Sequence, residues 1–220
     1  MDKTQRIRHR YNRIAPVYDL LDASMEWRLF GKQRRALLAP LEGRVLEVGV
    51  GTGKNLRHYP PGVELVAIDF SGGMLKRARR RASKLGRTVD LVEMDAQAMT
   101  FADNSFDAVV TACVFCSVPD PVKGLKEIRR VCKPGGQVMM LEHVRSEKPL
   151  IGWLVDRLNF VPVRLYGANI NRRTLENLTL AGFDHLDVED VWLDIFKRIR
   201  ATNLKPTRLG IATPRHTEAD

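Results

Sequence analysis

The chain has 220 residues, of which 44% are hydrophobic and 28% charged, which is ordinary for a globular protein and excludes a chain disordered throughout. Its 16 glycines and 11 prolines exclude collagen-like and low-complexity classes, and three cysteines are too few for a disulfide scaffold, which indicates a reducing compartment. Lys and Arg outnumber Asp and Glu by 36 to 26, so the net charge is +10. We expect one sizeable domain.

The N-terminal segment has the pattern of a basic helix. Ile7, Tyr11 and Ile14 share one face of a helix over residues 4–15, and arginines fill the other positions. This pattern predicts an amphipathic helix that lies on an anionic membrane surface or, alternatively, packs its apolar face on the domain. No apolar stretch follows the first cations, so we predict no secretory signal. The longest apolar run, residues 150–155, is too short to span a membrane, which takes roughly 20 residues.

Strands and helices alternate through the rest of the chain. Apolar runs predict strands over residues 45–48, 64–68, 89–94, 106–112, 137–144, 183–191 and 194–200. Periodicity and capping residues predict helices over residues 54–59, 71–85, 121–132 and 174–181, and residues 133–136 (KPGG) predict a turn. The alternation predicts an α/β fold with a mainly parallel sheet and helices on both faces.

This alternation also suggests how the chain is divided. Residues 1–42 are predicted as a helical cap, residues 43–203 as the main domain, residues 149–181 as a helical insertion after the fifth strand, and residues 204–220 as a loosely ordered tail.

Three successive strand ends carry residues suited to a nucleoside. The first strand runs into residues 47–53 (EVGVGTG), where glycines let the backbone approach a ligand closely. Asp69 ends the second strand, at the position where an acid accepts hydrogen bonds from ribose hydroxyls. Asp95 ends the third strand, well placed to meet an adenine amino group. Each feature alone is compatible with a tight turn or a helix cap, but their joint occurrence predicts a binding site.

Together these segments resemble the class I S-adenosylmethionine-dependent methyltransferases over about residues 10–200. Residues 103–110 and 127–136 resemble the stretches before that family's fourth and fifth strands. The resemblance implies a Rossmann-like sheet of seven strands, the last antiparallel, and S-adenosylmethionine as cofactor. The residues that it assigns to the cofactor are Tyr18, Glu47, Gly49, Gly51, Gly53, Asn55, Asp69, Phe70, Ser71, Met74, Met94, Asp95, Ala96, Ala112, Cys113 and Ser117.

Further resemblances bear on the methyl acceptor. Residues 11–19 (YNRIAPVYD) are similar to the ubiquinone/menaquinone C-methyltransferases, in which a tyrosine like Tyr18 folds over the cofactor. Residues 18–22, 27–31 and 142–144 are more similar to bacterial phospholipid N-methyltransferases, which convert phosphatidylethanolamine stepwise to phosphatidylcholine. Membrane-associated thiol methyltransferases share some of these stretches, so a small thiol or lipid-like acceptor is a further alternative.

Other classes of acceptor are disfavoured. Residues 112–117 (ACVFCS) lack the [DN]-P-P-[FY] motif of methylases that act on planar exocyclic nitrogens. No nucleic-acid recognition module appears, so no nucleic-acid partner is expected. A basic, non-catalytic adaptor on a degenerate methylase fold is the alternative from another class, and the intact glycine loop argues against it.

An amine acceptor would set demands on the site. A primary ammonium with a pKa of about 10.4 must lose a proton, which costs about 4.6 kcal/mol at pH 7. We predict His143 as the proton acceptor, with a structural histidine as the alternative, and Tyr18 as the second catalytic residue because aromatic faces suit methylated cations. The residues predicted to bind the substrate are Arg28, Lys32, His143, Tyr166, Asn169, Asn171 and Arg172.

Three remaining features have two interpretations each. Cys113 and Cys116 have the spacing of a metal or redox pair, but they lack a second pair, so we predict pocket-lining residues and no metal. Residues 76–87 carry seven cations, which predict a solvated helix face or a phosphate-rich partner. Residues 150–165, with Trp153, are a second candidate for membrane contact or a packed face. We therefore expect a cytoplasmic protein at the inner face of the membrane, with an anionic membrane surface and a phospholipid substrate as partners.

Overall fold

The computed structural model describes residues 2–21, 23, 26–165 and 167–205, without the side chains of Leu21 and Trp27. It contains a seven-stranded sheet. The strands are β1 Arg44–Val48, β2 Glu64–Asp69, β3 Asp90–Glu93, β4 Phe106–Ala112, β5 Cys132–His143, β6 Leu186–Trp192 and β7 Phe196–Thr202. Their order is β3-β2-β1-β4-β5-β7-β6, with β1 to β5 parallel and β7 antiparallel to both of its neighbours. The predicted mainly parallel, seven-stranded Rossmann-like sheet is confirmed.

Helices precede the first strand and connect several of the later ones. They are α1 Lys3–Ile14, α2 Tyr18–Leu21, α3 Gly31–Leu38, α4 Gly72–Leu85, α5 Pro121–Val131, α6 Pro149–Leu158, α7 Phe160–Leu165 and α8 Thr174–Leu180. A π-helical turn spans Glu26–Phe30 and a 3-10 turn spans Lys54–Arg57. The region predicted as a cap thus contains α1 to α3, and the predicted insertion contains α6 to α8. The division into domains stays a prediction.

Local capping chemistry explains why α4 begins and ends where predicted. Ser71 Oγ accepts a hydrogen bond from the Met74 amide, which satisfies one of the free amides of the first turn. Gly86 ends the helix with a φ of 60°, in the left-handed region that favours glycine. Because α4 starts directly after β2, these caps place its N-terminus at the carboxyl edge of the sheet.

The sheet has a core on each face. Strand residues alternate between the two, so that Leu46 of β1 packs with Phe106, Leu125 and Phe183 on one face. Val45, its neighbour in the strand, belongs to the cluster on the opposite face. Both layers are apolar because a parallel sheet is covered on both sides.

The start of β5 differs from the prediction. Residues 133–136 were predicted as a turn before the strand, but Cys132 already pairs with Phe106 and the ladder resumes only where Ala108 pairs with Gln137. The turn therefore exists as a bulge within a longer strand. Asn203 supports the bulge from the C-terminal side by donating from Nδ2 to the carbonyls of Cys132 and Lys133.

The last two strands were predicted too early. The observed β6 and β7 begin at Leu186 and Phe196, because Phe183 is buried in the core after α8 instead of pairing in the sheet. Of the predicted tail, residues 206–220 lie outside the described part of the chain. Among the residues that the structure describes, no helix has the length and hydropathy needed to cross a membrane.

Candidate cofactor and acceptor site

A cavity of about 350 Å³ opens at the carboxyl edge of the parallel strands. Its floor is formed by strand ends, among them Val48 of β1, Asp69 of β2, Ala112 of β4 and His143 of β5. This is the edge at which open α/β sheets bind ligands, and the volume falls within the range of about 300–1,000 Å³ that is usual for small-molecule sites. The cavity has an end beside the glycine loop and an end beside His143.

The glycine loop after β1 passes close to its neighbours. A Cβ at Gly49 would lie 2.5 Å from the Val114 side chain, and the φ of Gly49 is 72°, so any side chain there would clash and be strained. Gly51 lines the cavity and donates its amide to Asp69 Oδ2 at 2.9 Å. Gly53 lies behind the loop, where a Cβ would come within 3.2 Å of the Ala78 Cα, so its role is close packing against α4.

Asp69 lies at the centre of the glycine-loop end of the cavity. Its carboxylate is 6% exposed and accepts the amides of Gly51 and Ser71, both at 2.9 Å. Burial raises the pKa of Asp69 to about 6. A carboxylate has room for about four hydrogen bonds, so two acceptor positions remain for ligand hydroxyls. Phe70 and Met74 line the cavity beside it.

Asp95 also lines this end of the cavity. The side chain of Gln97 donates to both carboxylate oxygens of Asp95 at 3.0 Å, which fixes their orientation. Met94 and Ala96 line the cavity on either side of it. The arrangement places apolar walls around one oriented acceptor, as a flat heterocycle with an amino group requires.

Buried charges of both signs lie beneath the glycine loop. Glu47 is 2% exposed, and burial raises its pKa to about 7, although Asn55 donates to it at 2.8 Å and Tyr59 at 3.0 Å. Arg34 donates to Asn55 Oδ1 at 2.8 Å and to Glu26 at 3.0 Å. Glu47 and Arg34 line the cavity whereas Asn55 lies between them, so Asn55 supports the site from behind.

Helix α1 covers the cavity. Tyr11 lines it, and its hydroxyl lies 2.6 Å from Ser117 Oγ. Asn12 Oδ1 accepts from Ser71 Oγ at 2.7 Å and from the Gly73 amide at 2.9 Å, so Ser71 is engaged in holding the two helices together. Ile7 is 4% exposed. The structure thus realises the second predicted alternative for this amphipathic helix: its apolar face packs on the domain.

The end of the cavity beside His143, which we call the acceptor end, is apolar. Phe196 packs edge-on against the His143 ring at 4.7 Å and against Phe30 at 5.0 Å. Burial lowers the pKa of His143 to about 4, so the imidazole is neutral near pH 7. Its Nδ1 is buried and has no hydrogen-bond partner in the described part of the chain. The other walls come from the insertion, through Pro162, Ala168 and Ile170.

Most residues that the resemblance assigned to the cofactor line the cavity. Thirteen of the sixteen do so: Tyr18, Glu47, Gly49, Gly51, Asp69, Phe70, Met74, Met94, Asp95, Ala96, Ala112, Cys113 and Ser117. The other three, Gly53, Asn55 and Ser71, lie outside the cavity lining. Gly53 packs the loop against α4, Asn55 donates to Glu47, and Ser71 donates to Asn12 of α1. The roles of all sixteen in binding stay predictions.

Five of the side chains predicted to bind the substrate lie outside the cavity lining. Arg28, Lys32, Asn169, Asn171 and Arg172 are not among the residues that line the cavity. Asn169 donates to the Cys116 carbonyl and Arg172 donates to the Val118 carbonyl, so these two fasten the insertion to the loop after β4. Asn171 donates to Asp156. Tyr166 lies outside the described residues.

The cysteine pair lies in the cavity wall, as predicted. Cys113 and Cys116 both line it, and burial raises the pKa of Cys116 to about 12, so its thiol stays protonated. Glu142 orders this loop by accepting from Thr111 Oγ1 at 2.8 Å and from the Val114 amide at 3.2 Å. The described residues contain no group of three or more His, Cys, Asp or Glu side chains placed to hold a metal.

Sequence reasoning missed several lining residues, among them Tyr11, Phe30, Arg34 and Phe196. Tyr11 lies on the apolar face of the predicted N-terminal helix, and this position was the signal that could have identified it. Phe30 and Phe196 meet across 166 positions of the chain, and no local pattern links them.

Comparisons with known proteins agree with this geometry. A methyltransferase-domain family model matches residues 46–140. The chain is 43% identical over 108 residues to phosphatidylethanolamine N-methyltransferase of Cereibacter sphaeroides, covering 48% of this chain and 53% of that protein. It is 40% identical over 162 residues to demethylmenaquinone methyltransferase of Thermus thermophilus, covering 68% of this chain and 71% of that protein. The chain thus spans about half the length of the first relative and seven tenths of the second.

The fold matches solved structures as well. An S-adenosylmethionine-dependent methyltransferase of Thermotoga maritima has a TM-score of 0.70 at 22% identity, covering 90% of this chain and 99% of that chain. The chain belongs to the S-adenosylmethionine-dependent methyltransferases. The cofactor of this family is S-adenosylmethionine.

The cavity fits that cofactor chemically. Asp69 and Asp95 offer oriented acceptors for ribose hydroxyls and an adenine amino group. The buried charges of Glu47 and Arg34 suit an amino-acid end that carries both an ammonium and a carboxylate. The residues that would hold the cofactor are therefore those of the glycine-loop end.

Binding of the cofactor product is expected to depend on pH through Asp69. The Asp69 carboxylate accepts ribose hydroxyls most strongly when it is ionised, and its pKa is about 6. We therefore expect the Kd of S-adenosylhomocysteine, measured by isothermal titration calorimetry, to rise as pH falls from about 7.5 to about 5. Asp69→Asn should bind roughly tenfold or more weakly at neutral pH because it loses a charge-assisted hydrogen bond.

Glu47→Gln is the control for this experiment, because the pKa of Glu47 is also raised, to about 7. Asp69→Asn should flatten the profile through pH 6, and Glu47→Gln should leave that part intact. A wild-type Kd that stays constant over this range would contradict the role of Asp69.

The cover formed by α1 is expected to slow release of the ligand. Asn12→Ala removes two hydrogen bonds, so we expect S-adenosylhomocysteine to dissociate roughly threefold to tenfold faster, as measured by stopped-flow displacement. His9→Ala, on the exposed face of the same helix, is the matched control and should dissociate at the wild-type rate. Equal dissociation rates for Asn12→Ala and wild type would contradict the cover.

Proposed function

We propose that the protein transfers methyl groups from S-adenosylmethionine to the amine of phosphatidylethanolamine and of its methylated intermediates, giving phosphatidylcholine. The observation that carries this proposal is the acceptor end of the cavity, where the neutral His143 lies among the rings of Phe30 and Phe196. The similarity to the Cereibacter sphaeroides enzyme supports a phospholipid acceptor.

The acceptor end suits an amine that must become a nucleophile. An apolar wall disfavours the charged form of the amine, which lowers the pKa of the ammonium and the cost of deprotonation. The neutral imidazole of His143, which lines this end of the cavity, is then the group proposed to accept the proton. Its low pKa means that the imidazole is neutral near pH 7, with one ring nitrogen protonated and the other able to accept a proton.

Positioning is the second contribution of the protein. The cofactor supplies an activated methyl group on a sulfonium, and the chain must hold the amine nitrogen in line with the bond that breaks. Aromatic rings at Tyr18, Phe30 and Phe196 can face the cations that form after each methylation. Closure by α1 keeps water out of the same space.

A second candidate is C-methylation of a quinone precursor. The match to the Thermus thermophilus demethylmenaquinone methyltransferase covers more of this chain than the match to the phospholipid enzyme. In this reaction His143 would accept the proton of a ring hydroxyl, which raises electron density at the ring carbon. The aromatic faces would then stack on a flat ring.

Product analysis with a labelled methyl donor separates the two candidates. The purified protein is incubated with S-adenosylmethionine and vesicles that contain phosphatidylethanolamine, and separately with a demethylmenaquinone, chemically reduced to its quinol, dispersed in the same vesicles without that lipid. We expect label in mono-, di- and trimethylated phospholipid, resolved by thin-layer chromatography. Label only in the quinone would replace the first proposal by the second, and label in neither would contradict both.

His143→Gln tests the proposed proton acceptor. We expect kcat to fall by roughly a hundredfold or more near pH 7, with the Kd for the cofactor unchanged, because the lost group acts on the acceptor. The deficit should shrink toward high pH, where the amine deprotonates in solution. His58→Gln is a matched control, since His58 is partly buried outside the cavity. Wild-type rates for His143→Gln across about pH 6–9 would exclude His143 as the base.

A further inference from the structure

Helices α6 and α7 present an apolar surface to solvent. Seven of their large hydrophobic residues are between 41% and 83% exposed: Leu150, Trp153, Leu154, Leu158, Phe160, Val161 and Leu165. We call these residues the α6–α7 surface. A group of exposed hydrophobic side chains on two consecutive helices is typical of a site of interaction with proteins or membranes.

The four residues of this surface that belong to α6 lie on one face of the helix. Leu150, Trp153, Leu154 and Leu158 follow the i, i+3, i+4, i+8 spacing of a single helical stripe. Gly152, between them, is buried on the opposite side. The helix is therefore apolar toward the domain and apolar toward solvent, which packing within this chain does not explain.

The charges around the surface indicate an anionic partner. Lys148, Arg157 and Arg164 are exposed, and none of them has a salt-bridge partner within the described residues. The acidic residue of α6, Asp156, is occupied by Arg145 at 2.8 Å. An apolar stripe with a tryptophan and a rim of free cations fits the headgroup region of an anionic bilayer.

The surface is continuous with the acceptor end of the cavity. Pro162 of α7 lines the cavity, as do Ala168 and Ile170 just beyond it. On the other side, Asp194 accepts from Ser146 Oγ at 2.8 Å, which holds the β6–β7 turn against the start of α6. Trp192 and Leu193 of that turn are 48% and 51% exposed. The apolar surface thus adjoins residues that line the acceptor end of the cavity.

We propose that the α6–α7 surface docks the protein on an anionic phospholipid bilayer, so that the acceptor end of the cavity faces the lipid headgroups. The identity of the lipid that enters rests on the proposed function, whereas the docking does not. This assigns the apolar contact to α6 and α7 instead of α1, whose own apolar face is covered. The exposed arginines of α1 add only charge.

Vesicle co-sedimentation of the full chain tests the proposal. The vesicles are either a mixture of phosphatidylglycerol and phosphatidylcholine or phosphatidylcholine alone, and the wild type should partition to the anionic ones. The double variant Leu150→Ser, Trp153→Ser should bind them at least about tenfold more weakly, since two side chains lose their apolar burial. The matched control is Leu85→Ser, Leu180→Ser, which removes exposed leucines from α4 and α8 and should bind like wild type.

The cations are tested separately. Arg157→Gln, Arg164→Gln should reduce binding several-fold at low salt and have little effect at high salt, because surface charges are screened. The melting temperature of every variant is measured to exclude unfolding. Wild-type binding by the Leu150→Ser, Trp153→Ser variant would overturn the proposal. So would a wild-type dimer that this variant converts to a monomer, because the surface would then be an interface between two copies.

A methyl-transfer assay distinguishes failure of the docking from failure of the proposed function. The double variant should methylate detergent-dispersed phosphatidylethanolamine at the wild-type rate and lose activity only on vesicles. If the wild type methylates no phospholipid in either form but the variant still loses vesicle binding, the substrate is wrong and the docking surface stands. Equal loss of activity in detergent and on vesicles would overturn the docking role, because damage to the cavity explains it.

Discussion

The site depends on the two hydrogen bonds by which the Asp69 carboxylate holds the amides of Gly51 and Ser71. One bond fixes the glycine loop after β1, and the other fixes the start of α4. A single side chain thus joins the two segments that enclose the glycine-loop end of the cavity. The burial that makes these bonds strong also raises the pKa of Asp69 to about 6. The same carboxylate therefore shapes the cavity and leaves its remaining acceptor positions for a ligand.

The N-terminal helix completes the cavity instead of standing apart from it. Tyr11 and Asn12 connect α1 to Ser117, which follows β4, and to Ser71 and Gly73, which follow β2. We therefore expect exchange of the cofactor to involve separation of α1 from the domain. Because this contact uses the apolar face of α1, the membrane-docking surface that we propose lies elsewhere, on the exposed stripe of α6 and on α7, which reaches the acceptor end.

Local chemistry made much of the fold predictable. The caps at Ser71 and Gly86, the apolar runs of β1, β2 and β4, and the glycines and acids at successive strand ends all act within a few residues of one another. The bulge in β5 was not predictable, because it is held by Asn203, about 70 positions away. The late start of β6 has the same kind of cause, since burial of Phe183 in the core outweighs its propensity to extend a strand.

The sequence by itself determined the class of protein, the cofactor and most of the residues that line the glycine-loop end of the cavity, because glycines that allow a close backbone approach and acids at strand ends act where they stand in the chain. Only the tertiary structure decided what surrounds the acceptor: His143, Phe30 and Phe196 come from three distant segments, and their apolar contact lowers the pKa of the imidazole. It also decided which of two amphipathic segments was covered and which was left exposed. Periodicity shows that a helix has an apolar face, but the partner of that face is set by packing between residues far apart in sequence.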